Sequence, residues 1–478
     1  MASEPFLPAR MIQVHDIKLV PREYVADQTS KYAALSHSWG LKAQRKQPIP
    51  KLQNANIEDR KRGIDWAELT RTFQDAILAA RRLELEYIWI DSLCIIQDNK
   101  DDWVAQSMQM AKIYGEAHVV ISATRSHTGD MGIFNTRPAV HDVSLDGMNS
   151  KTVVMSRQLK HDNFFIAHKP SFDGNPLFTR GWCFQERLLA KRIIHFTEDE
   201  AVWECNEDLS CECQGIKTEA EDRKEGNSTG REFKAKFNTL LHSGDAEERD
   251  QCWMHILEGY SARELTVETD RLPALSGIAQ QVSRPEKGRY LAGLWEGDLP
   301  NSLLWYLPMK RRELRSNIER IPGVPSWSWP SVGTEITPHY QKMEHFETTA
   351  TVLEVHCSLP TSDPFGEVNG GYIILDAPIV EVNLAEDEVG LWHLLNPDDK
   401  DDQVNLFPDS YSSNYLPPNG STVYCVGIEF DSRPGHKTGF FCVIVRDAET
   451  SGDFCRIGQT NCPSLWIERA KRKEIKII

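Results

Sequence analysis

The ten residues Arg180-Gly-Trp-Cys-Phe-Gln-Glu-Arg-Leu-Leu189 contain a single carboxylate, Glu186. Phe184 to Leu189 reads as helical. On a helix, positions three and four apart share a face, so Glu186 stands beside Cys183 and Trp182 and is partly desolvated there. A lone carboxylate beside an indole and a thiol is a candidate catalyst. The competing reading is a structural ion pair with Arg180 or a more distant base, since Arg187 and Lys191 lie off that face and position 190 is alanine.

Other chemically capable residues sit in turns. Ser36, His37 and Trp39 follow one short apolar run, and Asp91, Ser92 and Asp98 follow another. A serine or aspartate at a strand end also caps the next turn, and Trp39 reads as core or rim packing ahead of a stacking platform. Cys205, Cys211 and Cys213, with His195 upstream, could ligate zinc. They contain no Cys-x-x-Cys pair, so thiols without metal are the expectation. A Cys183–His195 nucleophile pair would need a base held by a third group, which spacing cannot reveal.

The elements that must position these residues alternate between strand and helix, the pattern of a parallel sheet with crossover helices. Tyr32 to Ser36 reads as a strand. Leu69, Phe73, Ala76, Ile77, Ala80 and Leu83 then recur at helical spacing. Tyr87 to Ile96 is almost continuously apolar, as in a central strand covered on both faces. Asp101 and Asp102 open a helix whose inner face is Val104, Met108, Ala111 and Tyr114, with carboxylates at the positive end of the helix dipole. His118 to Ser122 is the next strand, and Arg192–Phe196 with Ala201–Trp203 forms a closing pair. A doubly wound sheet of this kind binds ligands beyond the carboxyl ends of its strands, which is where Ser36, Trp39, Asp91 and Ser92 fall.

Beyond this core the pattern changes. Residues 123–175 form a polar connection, and Ile216 to Lys234 is charged and without apolar period, as in a linker. Helical patterns come next, around Trp253, Ile256, Leu257 and Tyr260. The last third is β-rich, with strands at Thr348–Val355, Tyr372–Val382, Thr422–Phe430, Gly439–Val445 and Leu465–Ile478, pointing to a small antiparallel sheet or barrel. The acidic run Asn396 to Asp402 reads as a solvated loop.

With 478 residues the chain exceeds one core. A formal charge of −16 leaves no broad basic field for nucleic acid. No apolar run approaches the roughly 20 residues of a membrane span, and the amino terminus lacks a basic region followed by an apolar core. A cytoplasmic protein is expected. The eleven cysteines are odd in number and scattered, so reduced thiols are expected.

Three blocks together resemble the heterokaryon incompatibility (HET) domain of filamentous fungi: Ala34-Leu-Ser-His-Ser-Trp-Gly40, Tyr87-Ile-Trp-Ile-Asp-Ser-Leu-Cys-Ile-Ile-Gln-Asp98 with Asp102-Trp103, and Arg180 to Leu189. His37 stands where a tyrosine is common, and Ser38 where cysteine or threonine is common. Later segments, Asp270 to Ile278 and Pro325-Ser-Trp-Ser-Trp329 among them, are similar to the region carboxyl-terminal to that domain in many such proteins. The resemblance implies a part in fungal non-self recognition and regulated cell death.

HET domains are in turn likened to TIR domains, and the order of elements here, ending in Trp182-Cys-Phe-Gln-Glu186, is similar to a TIR-like core. In enzymatic TIR domains the matching glutamate cleaves the nicotinamide–ribose bond of NAD. The resemblance therefore implies Glu186 as catalyst, with Ser36, Trp39, Asp91, Ser92, Arg180 and Trp182 around the substrate, NAD as substrate with no cofactor, and no metal. It further implies self-association through the loop Gln97–Asp101 and a separate recognition-protein partner. The alternative is a non-enzymatic signalling module acting through protein association. The implied organisation is an amino-terminal extension (1–29), a HET domain with a TIR-like or flavodoxin-like α/β sheet (30–215), a helical segment (216–330) and a β-rich domain (331–478).

Overall fold

A computed structural model describes residues 6–135, 142–143, 153–154, 174–214, 233–243, 245–308, 318–339, 345–396, 399–433, 438–448, 452–468 and 470–478. Most of the expected insertion (123–175) and of the expected linker (216–234) lies outside these residues. The chain divides into two compact units, 1–245 and 246–478. This division does not coincide with the expected boundaries near 215 and 330.

In chain order the first unit runs β1 (Arg10–Gln13), β2 (Lys18–Pro21), β3 (Tyr32–Ser36), α1 (Arg71–Arg82), β4 (Tyr87–Trp89), α2 (Lys100–Ser107), α3 (Met110–Glu116), β5 (Val119–Ser122), α4 (Gly181–Leu189), β6 (Arg192–Phe196), β7 (Ala201–Cys205), β8 (Leu209–Cys211) and α5 (Phe233–Ser243). Strands β4, β3, β5 and β6 lie side by side and parallel. The chain moves from β3 to β4 on one side, then returns to β5 on the other, so its direction of winding reverses at β3. This is the flavodoxin-like order, and a crevice opens at such a switch point. Every residue of β3, β4 and β5 is buried, as a sheet covered on both faces requires.

Antiparallel hairpins extend this core at both edges. At one, β7 pairs with β6 and β8 with β7. At the other, β1 pairs with β4 and β2 with β1. Within the stretch expected as an extension, residues 10–13 and 18–21 thus supply sheet strands, with Met11 and Ile12 fully buried. Arg10 ties this edge down: its guanidinium donates to both Asp102 oxygens at 2.7 and 2.6 Å, and its Nε to the Cys94 carbonyl at 2.7 Å.

Helix α1 begins where Thr70 Oγ1 accepts the Phe73 N–H at 3.4 Å, and it buries Phe73, Ala76, Ile77 and Ala80. The apolar run Tyr87–Ile96 is not one strand. It leaves the sheet after Trp89 and makes a single helical turn, Asp91–Cys94, in which Asp91 Oδ1 accepts the Ser92 N–H at 2.5 Å. A buried helical turn is as apolar as a buried strand, so composition alone cannot separate them. The expected helix after Asp101 is also broken, into α2 and α3. Its buried face comprises Gln106, Met110, Ile113 and Tyr114, while Val104, Met108 and Ala111 are half-buried.

In the second unit, helices Ala246–Ser261 and Pro273–Val282 bury Trp253, Ile256, Leu257, Tyr260, Leu275 and Ile278. Strands Thr422–Asp431, Thr438–Asp447, Asp453–Pro463, Lys471–Ile477 and Gly371–Glu386 pair in sequence, and the last pairs back to the first. The sheet therefore closes into a barrel around Val423, Cys425, Cys442, Ile444 and Trp466. Closure removes exposed edges. The first residues of the strand expected over Leu465–Ile478 instead form a helical turn, Ser464–Glu468, ahead of strand Lys471–Ile477, and the second half of the acidic run expected as a loop belongs to strand Asp399–Asn405. Arg456, fully buried, lies 3.4 Å from the Trp305 ring centre.

Candidate active site

The carboxyl end of β3 and the first turns of α4 meet over the sheet. Ser36 Oγ donates to Glu186 Oε2 at 2.5 Å. Both side chains are enclosed, Ser36 at 5% and Glu186 at 6% exposure. The Glu186 pKa is raised to about 7, chiefly by burial; the Ser36 hydrogen bond opposes this, nearby Asp91 adds to it, and Arg180 and the Cys183 hydrogen bond oppose it. The carboxyl thus exchanges between its two protonation states near neutral pH.

Asp91, from the turn after β4, is the more open carboxylate, with its side chain 27% exposed. Its Oδ2 accepts the Trp39 indole N–H at 2.8 Å, and its Oδ1 lies 3.6 Å from His37 Nε2. His37 is pushed below the ordinary imidazole range by burial, against the pull of Asp91, and packs edge-on against Phe73 with ring centres 5.0 Å apart. Lys51 Nζ sits 4.9 Å from the Trp39 ring centre, so one indole face carries a cation. Trp39 orients Asp91 through its N–H, and packing and hydrogen bonding are joint roles for it.

Arg180 precedes α4 and is half-buried; among the described residues its Nε has no hydrogen-bond partner. Trp182 packs edge-on against Trp103, ring centres 6.4 Å apart. Ser92 is placed differently from the other expected residues. Its side chain is fully enclosed, and its backbone N–H rather than its hydroxyl serves the site, by holding Asp91. Asp98 accepts the Asn54 N–H at 2.9 Å and acts as a loop clasp.

Tyr114 is a site residue that the sequence shows only as part of a helix face. It is buried against the site, donates to the Leu35 carbonyl at 3.1 Å, and has its phenol pushed well up by burial and by the Glu186 charge. Cys183 is likewise held as a thiol, by burial and by Glu186. It is not paired with His195. Instead, His195 donates from Nε2 to Glu204 at 2.9 Å and accepts at Nδ1 from Thr124 at 3.3 Å, a tautomer set by a carboxylate that only accepts.

That glutamate anchors a second buried cluster immediately behind the site. Arg187, next to Glu186 in sequence, forks onto Glu204 at 2.7 and 3.0 Å. Lys234 on α5 donates to the Arg187 carbonyl at 2.9 Å. Burial alone would raise the Glu204 pKa, but Arg187 and Lys234 outweigh it and hold the carboxylate well below its usual range. Burial lowers Lys234 to about 8 and His195 to about 4, so the imidazole is neutral.

All eleven cysteines are thiols. Of the set that could have bound zinc, His195 belongs to Glu204, and Cys205 accepts the Asp208 N–H at 3.3 Å. Cys211 and Cys213 instead meet Glu200, a residue the spacing of cysteines did not suggest.

Residues 32–186 match the family model described as heterokaryon incompatibility protein (HET). No curated protein and no solved structure matches the chain. The matched span opens on the first residue of β3, closes on Glu186, and contains Ser36, Trp39, Asp91, Ser92, Arg180 and Trp182. The chain carries a heterokaryon incompatibility domain. Among the described residues no helix is long and apolar enough to cross a membrane.

Proposed function

We propose that this heterokaryon incompatibility domain protein is a cytoplasmic effector of fungal non-self recognition and regulated cell death, and that it acts by cleaving the nicotinamide–ribose bond of NAD. The observation that carries the reading is the enclosed Glu186, fixed by Ser36 at the switch point of a doubly wound sheet. Nicotinamide leaves a pyridinium as a neutral molecule, taking the electron pair of the broken bond, so no general acid is required. What the reaction needs is an anion facing the oxocarbenium charge that develops on the ribose, in a site with little water. Water then adds to the ribose carbon and releases its proton. Ser36 holds one Glu186 oxygen in place. Arg180, whose Nε has no hydrogen-bond partner among the described residues, suits a phosphate oxygen of the dinucleotide. Asp91, kept in position by Trp39 and the Ser92 N–H, supplies an acceptor for a ribose hydroxyl.

The test is purified full-length protein incubated with NAD, with release of nicotinamide followed by chromatography. Glu186→Gln keeps the shape and removes the charge, and turnover should fall on the order of 10²–10³-fold, as for loss of a preorganised electrostatic group. Undiminished turnover in a folded Glu186→Gln protein removes Glu186 from the mechanism. If the wild type releases no nicotinamide while Glu186→Gln still abolishes toxicity in cells, the chain acts as a non-enzymatic signalling module.

A further inference from the structure

At the far edge of the same sheet, β8 ends in Cys211, and Cys213 lies two residues on. Pairing with β7 continues past the strand, since the Glu212 N–H donates to the Ala201 carbonyl at 3.3 Å. Residues two apart on an extended chain share a face, and the two Sγ atoms are 3.4 Å apart. Gln214 then adopts φ 61°, turning the chain away.

Glu200, from the turn joining β6 to β7, closes the third side. Its Oε2 accepts the Cys213 N–H at 2.7 Å, and its Oε1 lies 3.3 Å from Cys213 Sγ. The backbone beneath it is fixed as well: Glu200 N–H donates to Thr197 Oγ1 at 3.1 Å, and that hydroxyl donates to the Glu200 carbonyl at 2.6 Å. The three ligand atoms lie within 4.8 Å of one another, on side chains that run from buried Cys211 to exposed Cys213.

We propose that Glu200, Cys211 and Cys213 form a site for a thiophilic divalent cation of the zinc class. Zinc takes thiolate at about 2.3 Å and carboxylate oxygen at about 2.0–2.2 Å in a tetrahedron, which separates its ligand atoms by roughly 3.5–3.8 Å. Two sides of the observed triangle, 3.4 and 3.3 Å, reach that spacing by opening a few tenths of an ångström, and the third lies within 4.8 Å. Two thiolates select a soft ion over magnesium or calcium. Among the described residues the site has three protein ligands, which leaves a fourth tetrahedral position, and binding releases thiol protons. The ion would pin the β6–β7 turn to the end of β8. This revises the expectation of metal-free thiols, which rested on the absence of Cys-x-x-Cys; a carboxylate distant from the cysteines in the usual ligand spacing completes the set instead.

Cobalt is the probe, because thiolate-to-cobalt charge transfer absorbs in the near ultraviolet. Full-length reduced protein, titrated with Co²⁺ and desalted, should retain one equivalent with that absorption, and Zn²⁺ should displace it. Cys213→Ser should lose the band while keeping its circular dichroism and melting profile. Glu200→Gln should weaken Co²⁺ binding by more than about tenfold, and Cys205→Ser should leave it unchanged. Absence of the band in the wild type, or its survival in Cys213→Ser, overturns the proposal.

Discussion

The hydroxyl of Ser36 donates to the carboxylate of Glu186 at 2.5 Å, across a sequence separation of 150 residues. One contact thereby joins the end of the central strand β3 to the helix α4. It also stabilises the charged form of a carboxyl that burial would otherwise neutralise.

The first consequence is a pH profile. If ionised Glu186 drives NAD cleavage, kcat/KM should rise with pH through a midpoint near 7 and level off above it, because protonation removes the working charge. Ser36→Ala removes a hydrogen bond that favours the anion, so its midpoint should lie higher than the wild type's. A rate that falls as pH rises through 7, or a midpoint unmoved in Ser36→Ala, contradicts the assignment.

Stability should respond in the opposite sense. The Glu186 pKa is about 7 in the folded chain against an ordinary 4.5. The folded state therefore holds the proton more tightly, which adds stability below pH 4.5 and loses it progressively up to about 7. The difference corresponds to roughly 3 kcal/mol. Glu186→Gln lacks this dependence, so its melting temperature should match the wild type's near pH 4.5 and exceed it at pH 8. Parallel melting curves for the two proteins would refute a raised Glu186 pKa.

Glu204 is predicted to matter to folding rather than to chemistry. Glu204→Gln would remove the buried carboxylate that faces both Arg187 and Lys234, at a cost of about 3–5 kcal/mol. Denaturant unfolding of the full chain measures it. A loss below about 1 kcal/mol would mean that water reaches the cluster and screens it.

The proposed self-association makes a kinetic prediction. The segment Gln97–Asp101, expected as a loop and ending in the first residues of α2, has exposed residues at Asp98, Lys100 and Asp101. If a neighbouring copy completes the site, NAD turnover per molecule should rise with protein concentration, tracking the assembled fraction. Light scattering on the same dilution series reports that fraction. Constant specific activity at monomer mass throughout would show a self-sufficient site.

Local patterns in the sequence carried the α/β class, the buried face of α1 except for Leu83, which follows the helix and is exposed, the strands β3, β5, β6 and β7, and the β-rich last third. Those features depend on side chains a few positions apart, and 2.0- and 3.6-residue periods are visible without knowing the fold. The three blocks that resemble the HET domain also brought Ser36, Trp39, Asp91, Arg180, Trp182 and Glu186 into view. Periodicity was misleading where burial is complete: the turn Asp91–Cys94 has the composition of a strand, and β1 looks like an ordinary amino terminus until Ile12 pairs with Ile88.

Tertiary structure alone decided what these groups can do. The charge state of Glu186 depends on enclosure by α3, α4 and the ends of the strands, and desolvation sums over every atom nearby, however distant in sequence. The same holds for His195, whose partner is Glu204 rather than Cys183, and for Glu200, which joins Cys211 and Cys213 only because two hairpin turns fold onto one sheet edge. Residue types and spacings are properties of the chain. Distances between strands, and the dielectric between charges, exist only once the sheet has formed.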